Sequence, residues 1–531
     1  MIEKHFHLAS TSTTIDTMDA SESDGSSQAE EFTTSGNLTL ATGTRHHRLL
    51  NSNEAPLDSD IGMIKSTGLK IDARVLDIDE EIARSFASAQ NTAALSPLRR
   101  IPPEVLAEIF TWTLPPVYAL ASARKRFCSN DSPWLLTHIS RHWRAVAIAI
   151  PSLWSMVAIN YHPGMDPAGL YPMSMLETQL SRAQKPKIHF FGHEKSNPGP
   201  QIEIFKYLGL HSSRWEELSI ILTSALVPIL SDIQHRLPLL RRLSIEWSDE
   251  TSQSDVDLID CFERAPSLVD ATVVNYSHFV PLLLPVHQLT RHDLNGPWDV
   301  HQSALVLGAN LVEVRICLEF DIEPWPHVDE PIHLPCLRRL YTSHVEILGY
   351  LSTPALDELA LCMGEGDMIQ SRFGPFVEQS GCSLRRLRLE GRVETAKIAH
   401  LLKETPSIVD LAIIFSSASN AEKPAVLAML TMIPDTPHVA PQLQSISIGC
   451  RPSCSLDHMK FTEMLYSRWK EPRHALGAAA FLSANSQYAL EELRENETLK
   501  DLKREGLDFW MEYGPVAQKN IGLWTYYPGW D

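Results

Sequence analysis

One short phrase constrains this chain more than any other feature. It reads leucine or an equivalent, two variable residues, leucine, one residue, then isoleucine or leucine, and it occurs ten times. The copies run Trp215–Ile220, Leu240–Ile245, Leu268–Val273, Leu289–Leu294, Leu311–Ile316, Leu337–Tyr341, Leu356–Leu361, Leu384–Leu389, Ile408–Ile413 and Leu443–Ile448, with starts 19 to 35 residues apart. The alternating end of each copy predicts a short strand with one buried face. The first leucine turns the chain into that strand, often just after a proline such as Pro238, Pro266 or Pro406. A single copy cannot cover its own apolar side, so successive copies must stack and share one core. Val256–Arg264 and Thr395–Glu404, between copies, read as helices. Leu289–Leu294 is a damaged copy that sets His292 at an inward position.

Before the repeats, Ser155–Ile159 and Ile188–Phe191 read as strands and Met173–Ala183 as a helix. Further upstream the period changes from two to that of a helix. Pro102-Pro103-Glu104 is a helix start, because a proline in the first turn sacrifices no hydrogen bond. Val105, Leu106, Ile109 and Phe110 follow as one apolar stripe. Leu136, Ile139, Trp143, Val146 and Ala147 make a second, and Pro151-Ser152-Leu153-Trp154 closes the segment. Two short amphipathic helices are too small to be stable alone, so they pack together and any leftover apolar surface needs a partner.

Pro102-Pro103-Glu104-Val105-Leu106 with Ile109-Phe110, then Ile139-Ser140-Arg141 with Trp143-Arg144, then Leu153-Trp154 resembles an F-box. The lead Leu95-Ser96-Pro97-Leu98-Arg99-Arg100 is similar to that of the F-box-like domain abundant in basidiomycete fungi. Ser140 stands where that family usually has cysteine, and the insert from Pro115 to Pro133 is longer than in the plain F-box. The resemblance implies a helical module that docks on the Skp-type adaptor of a cullin-based (SCF) ubiquitin ligase. Carried onto this chain, it implies adaptor contacts from Pro102, Pro103, Leu106, Ile109, Phe110, Leu114, Ile139, Trp143 and Trp154. The leucine phrases in turn resemble the degenerate leucine-rich repeats that follow many F-boxes, since the period fits but the customary asparagine is missing. The fold expected is α/β, with N-terminal all-α F-box-like helices, an irregular leucine-rich-repeat-like solenoid and a helical C-terminal cap.

The expected domains are a disordered Ser/Thr-rich tail over 1–70, a lead-in helix over 71–95, the F-box-like domain over 96–160, the repeat domain over 161–456, and a helical cap with an aromatic tail over 457–531. The tail holds too few apolar residues to offset the entropy of ordering it. In the cap, Phe461, Met464, Leu465 and Trp469 form a stripe, and Leu490–Leu507 reads as a charged amphipathic helix.

The function expected is substrate recognition in that ligase, with a Skp-type adaptor, a cullin and an unknown protein target as partners. Two alternatives remain from residues alone: a protein-interaction scaffold that never meets the adaptor, and an enzyme with a concealed pocket in the repeat domain. A net charge of −19 disfavours nucleic acid and acidic membranes as partners. No run is long and apolar enough to span a bilayer. The eight cysteines, with no secretory signal ahead of them, read as reduced thiols of a cytoplasmic or nuclear protein. Phosphate-binding, nucleophile-elbow and zinc-protease motifs are absent from the sequence, so no enzyme, cofactor or metal is expected. Cys450, Cys454 and His458 have a spacing that suggests metal, but a fourth ligand is missing.

Overall fold

The computed structural model describes residues 57–72, 100–115, 129–162, 171–320, 330–364, 368–416, 422–433, 439–452, 454, 457–470, 475–484 and 493–526. They fall in two compact units divided at Arg100. In the first, Asp58–Asp72 is a helix (α1) inside the stretch expected to be a tail. Its start explains it: the Leu57 amide donates to Asp60 at 2.8 Å, and Asp58 and Asp60 suit the positive end of a helix. Arg100 pairs with Asp58 at 2.7 Å. Most of the lead-in helix expected over 71–95, and the run Leu95–Arg99, lie outside the described residues.

The second unit opens with Pro103–Trp112 (α2), Leu136–Ile139 (α3), Arg141–Ala149 (α4) and Pro151–Trp154 (α5). One sheet of fourteen strands follows, all parallel, with spatial order identical to chain order. Met156–Asn160 (β1) and Lys187–Phe191 (β2) begin it. The ten leucine phrases supply the next ten strands: Glu217–Leu222 (β3), Arg242–Trp247 (β4), Asp270–Val274 (β5), Arg291–Gly296 (β6), Glu313–Leu318 (β7), Arg339–Thr342 (β8), Glu358–Met363 (β9), Arg386–Gly391 (β10), Asp410–Phe415 (β11) and Ser445–Cys450 (β12). Each strand begins at the third residue of its phrase.

Ala478–Ser483 (β13) and Asp508–Tyr513 (β14) extend the sheet. The segment 457–531 is therefore not the purely helical cap expected. Ala478–Ser483 is a nearly unbroken small and apolar run, the signature of a strand covered on both faces, and it shows no helical stripe.

Return connections carry Met173–Arg182 (α6), Pro198–Gly209 (α7), Val227–Leu230 (α8), Trp298–Leu307 (α9), Ile369–Ser380 (α10), Thr395–Glu404 (α11), Lys423–Leu430 (α12), His458–Lys470 (α13) and Glu497–Arg504 (α14). The expected helix Val256–Arg264 is irregular chain with a turn over 261–264 instead, because Ile259 makes a parallel bridge to Leu282 and leaves the helical path. These connections cover one face of the sheet. A single apolar core from Val157 to Phe509 fills the space beneath them. In most phrases the second leucine and the final apolar residue point into it, as do Leu218, Ile220, Leu243, Ile245, Leu387 and Leu389, all buried, whereas Tyr341, the last of its phrase, lies on the other face. The alternate residues line the opposite, open face. Gly514–Tyr526 (α15) lies on that open face, where Ala517 and Ile521 meet Ile414 and Leu482.

Candidate functional site

Two surfaces are candidates. The first is built by α2 to α5. Leu106, Phe110, Trp134, Leu136, Val146, Ala147, Leu153 and Trp154 form a filled cluster of their own. The Phe110 and Trp143 rings lie 4.9 Å apart, and Trp134 meets Trp154 edge-on at 5.0 Å. Polar bonds set the helix ends. The Ser140 hydroxyl accepts from the Trp143 amide at 3.1 Å, capping α4. The Trp154 indole donates to the Ala147 carbonyl at 2.8 Å.

Helix α6 joins this cluster to the sheet. The Gln179 amide donates to the carbonyls of Trp154 at 3.1 Å and Met156 at 2.6 Å, and the Arg182 guanidinium lies 4.2 Å over the Trp154 ring. The helices thus stand beside β1, the amino-terminal edge of the sheet.

The nine residues expected to contact an adaptor divide sharply. Leu106, Phe110 and Trp154 are wholly buried and hold the helices together. Leu114 and Trp143 are half-buried against the same cluster. Pro102, Pro103, Ile109 and Ile139 reach the surface, the two isoleucines at 41% and 50% exposure. Val105 at 49% and Trp112 at 82% were missed. Val105, Ile109 and Trp112 follow one another at helical spacing and form a single outward stripe on α2. The signal was present: the helix is apolar on more than one side, and one side is enough for its cluster.

The second surface is the open face of the sheet. In-register pairing puts Lys187, Glu217, Arg242, Asp270, Arg291, Glu313, Arg339, Glu358, Arg386 and Asp410 in one row. Charge alternates at every step across ten strands. Parallel in-register pairing sets the same position of each phrase beside its neighbour, so like charges would stand side by side without the alternation.

Arg291 lies 3.5 Å from Asp270, and Arg339 reaches Glu313 at 3.4 Å and Glu358 at 3.6 Å. Two residues along, Arg315 pairs with Asp293 at 2.8 Å and covers the Tyr341 ring at 5.1 Å. All of these but Asp270 line a small depression at β6–β9. Burial pushes the Glu313 carboxyl up to about 7 against the pull of Arg291 and Arg339. Asp293 is likewise raised by burial, with Arg315 and Arg291 opposing. From Glu217 to Asp410 the sequence carries this row at the third position of nine phrases, just before the inward second leucine.

Among the described residues no group of three or more histidine, cysteine or acidic side chains is placed to hold a metal. Cys450 and Cys454 are buried near Lys423, and no cysteine among the described residues is joined in a disulfide. Among the described residues no helix is long and apolar enough to cross a membrane. No family model matches the chain, and no curated protein matches it.

Proposed function

We propose that this chain is the substrate-recognition subunit of a cullin-type ubiquitin ligase. The observation that carries the reading is the outward stripe Val105, Ile109 and Trp112, left over after the helical cluster has filled its own core. It stands on the helix whose Pro-Pro-Glu start resembles an F-box. Covering each such side chain is worth roughly 1.5–3 kcal/mol, before association costs are subtracted. A Skp-type adaptor would take this stripe together with Pro102, Pro103 and Ile139. The long sheet then serves as the arm that carries a protein target. Its work is proximity, raising the local concentration of target lysines near a charged conjugating enzyme, with no bond chemistry of its own.

The test is capture of the purified chain by a Skp-type adaptor. Wild type is retained, and Ile109→Asp with Trp112→Asp is lost while its circular dichroism and melting are unchanged. Failure of the well-folded wild type to bind any such adaptor overturns the proposal and leaves the scaffold reading.

A further inference from the structure

The open face changes character at one end. Four residues along the strands from the charged row, and so on the same face, another row runs Cys362, Glu390, Ile414, Gly449, Leu482 and Glu512 from β9 to β14. Its middle is apolar; Glu512 flanks it on one side, and on the other the buried Glu390 is paired with Arg451. Helix α15 lies across that middle and reaches from β14 to β10.

Only Ala517 and Ile521 are buried among residues 514–522. They stand four apart, about 6 Å along a helix, while neighbouring strands stand about 4.8 Å apart. A helix crossing the strands therefore sets about one anchor on each strand or two. Gly449 is what allows the approach: a Cβ there would lie 3.3 Å from Ile521 Cγ1 and 2.5 Å from Ile414 Cδ1. The helix hangs on a hinge, since Gly514, at φ +62°, directly follows the last residue of β14. The amide of Asn520 donates to Glu512 at one flank.

We propose that Ile414, Gly449 and Leu482 form a seat for an amphipathic protein helix, and that α15 fills it as a tethered stand-in which the helix of a protein target displaces. This rests on the ligase reading for the identity of the partner, and on the sheet alone for the seat. A sheet row fixes the seat, Ala517 and Ile521 are the apolar anchors of the occupant beside the Asn520–Glu512 bond, and a left-handed glycine joins it to β14. The displacing helix carries a small residue and, four positions later, a branched aliphatic one. A basic or amide group beside them meets Glu512, as the amide of Asn520 does.

The probe is a fluorescent peptide of residues 514–526, added to the full chain. Wild type, whose seat is filled by a helix at high effective concentration, binds it at least about 10-fold more weakly than the full chain carrying Ile521→Asp. Adding Gly449→Val to that variant abolishes the gain. A folded Ile521→Asp chain that gains nothing overturns the seat. Hydrogen exchange on the unaltered chain decides the matter even if the variant unfolds. The amides of α15 exchange at least about 100-fold faster than those of β11–β13 if the helix is displaceable; protection equal to theirs overturns the proposal. Adaptor capture by the Ile521→Asp chain separates the two readings. If capture persists while peptide binding fails, only the seat is lost; if peptide binds while wild type meets no adaptor, only the ligase reading is lost.

Discussion

Arg339 sits between Glu313 and Glu358 in the alternating row, with both acids largely buried. Arg339→Glu would set three acidic side chains on adjacent strands. The expected loss is about 2–3 kcal/mol, scaled down from a fully buried pair because Arg339 is partly solvated. Arg339→Met keeps most of the volume and removes the like-charge contact, so it costs less; chemical denaturation of the two variants separates charge from packing. Equal losses would mean that alternation contributes nothing. His292 tests the opposite face. It is buried against His301 at 5.8 Å, its ring nitrogens have no hydrogen-bond partner, and burial holds its pKa down at about 4. A depressed histidine contributes stability that is present above the unfolded value near 6.5 and lost as pH falls through about 4. Glu313 runs the other way: its contribution is present below about 4.5 and lost as pH rises through about 7. Comparing His292→Leu with wild type cancels Glu313 and the distant histidines, and leaves His301, whose value a charge on His292 also lowers, as part of the same pair. The variant's advantage in unfolding free energy should widen by about 2–3 kcal/mol between pH 7 and pH 4.5. A difference that does not move with pH would show that His292 is not the buried neutral ring described.

Helix α2 shows what an element conveys that its residues do not. Its start and its apolar character were legible from Pro102, Pro103 and the spacing of Val105, Leu106, Ile109 and Phe110. Which of these face inward was not, because a helix apolar on two sides has no unique inner stripe until its neighbours are placed. The structure turns Leu106 and Phe110 inward and leaves Val105, Ile109 and Trp112 outside. The two groups should respond differently. Phe110→Ala removes a ring packed on Trp143 and costs about 3–5 kcal/mol of stability. Ile109→Asp, at an exposed position, shifts stability by less than about 0.5 kcal/mol and acts on docking alone. Thermal melts paired with adaptor capture separate the two effects. A large loss of stability in Ile109→Asp would place that side chain in the core and remove it from the docking face. The same logic covers Val256–Arg264, where the helical pattern was legible and the bridge from Ile259 to Leu282, a long-range contact, was not.

At the scale of the molecule, the ten leucine phrases made the parallel sheet legible, because each repeats the same inward pair and cannot stand alone. The last two strands were hidden. Ala478–Ser483 has no leucine phrase, and Asp508–Tyr513 follows a charged helix that drew the segment into a helical reading. Yet the core does not stop at Ile448: Phe461, Met464, Leu465, Phe481, Leu502 and Phe509 belong to the same cluster as Val157. The described residues of 457–526 therefore extend the sheet beyond β12 in two ways. They cover apolar side chains of β12 and its neighbours, and they pair the outer edge of β12, which would otherwise present unsatisfied backbone groups to any passing strand. A chain ended after Leu456 loses both. It should elute as higher oligomers in size-exclusion chromatography with light scattering, and its melting temperature should fall by well over about 4 °C relative to the full chain. A truncated chain that stays monomeric and melts within about 2 °C of the parent would mean that the cluster on the β12 side is self-sufficient and that β13 and β14 are an appendage.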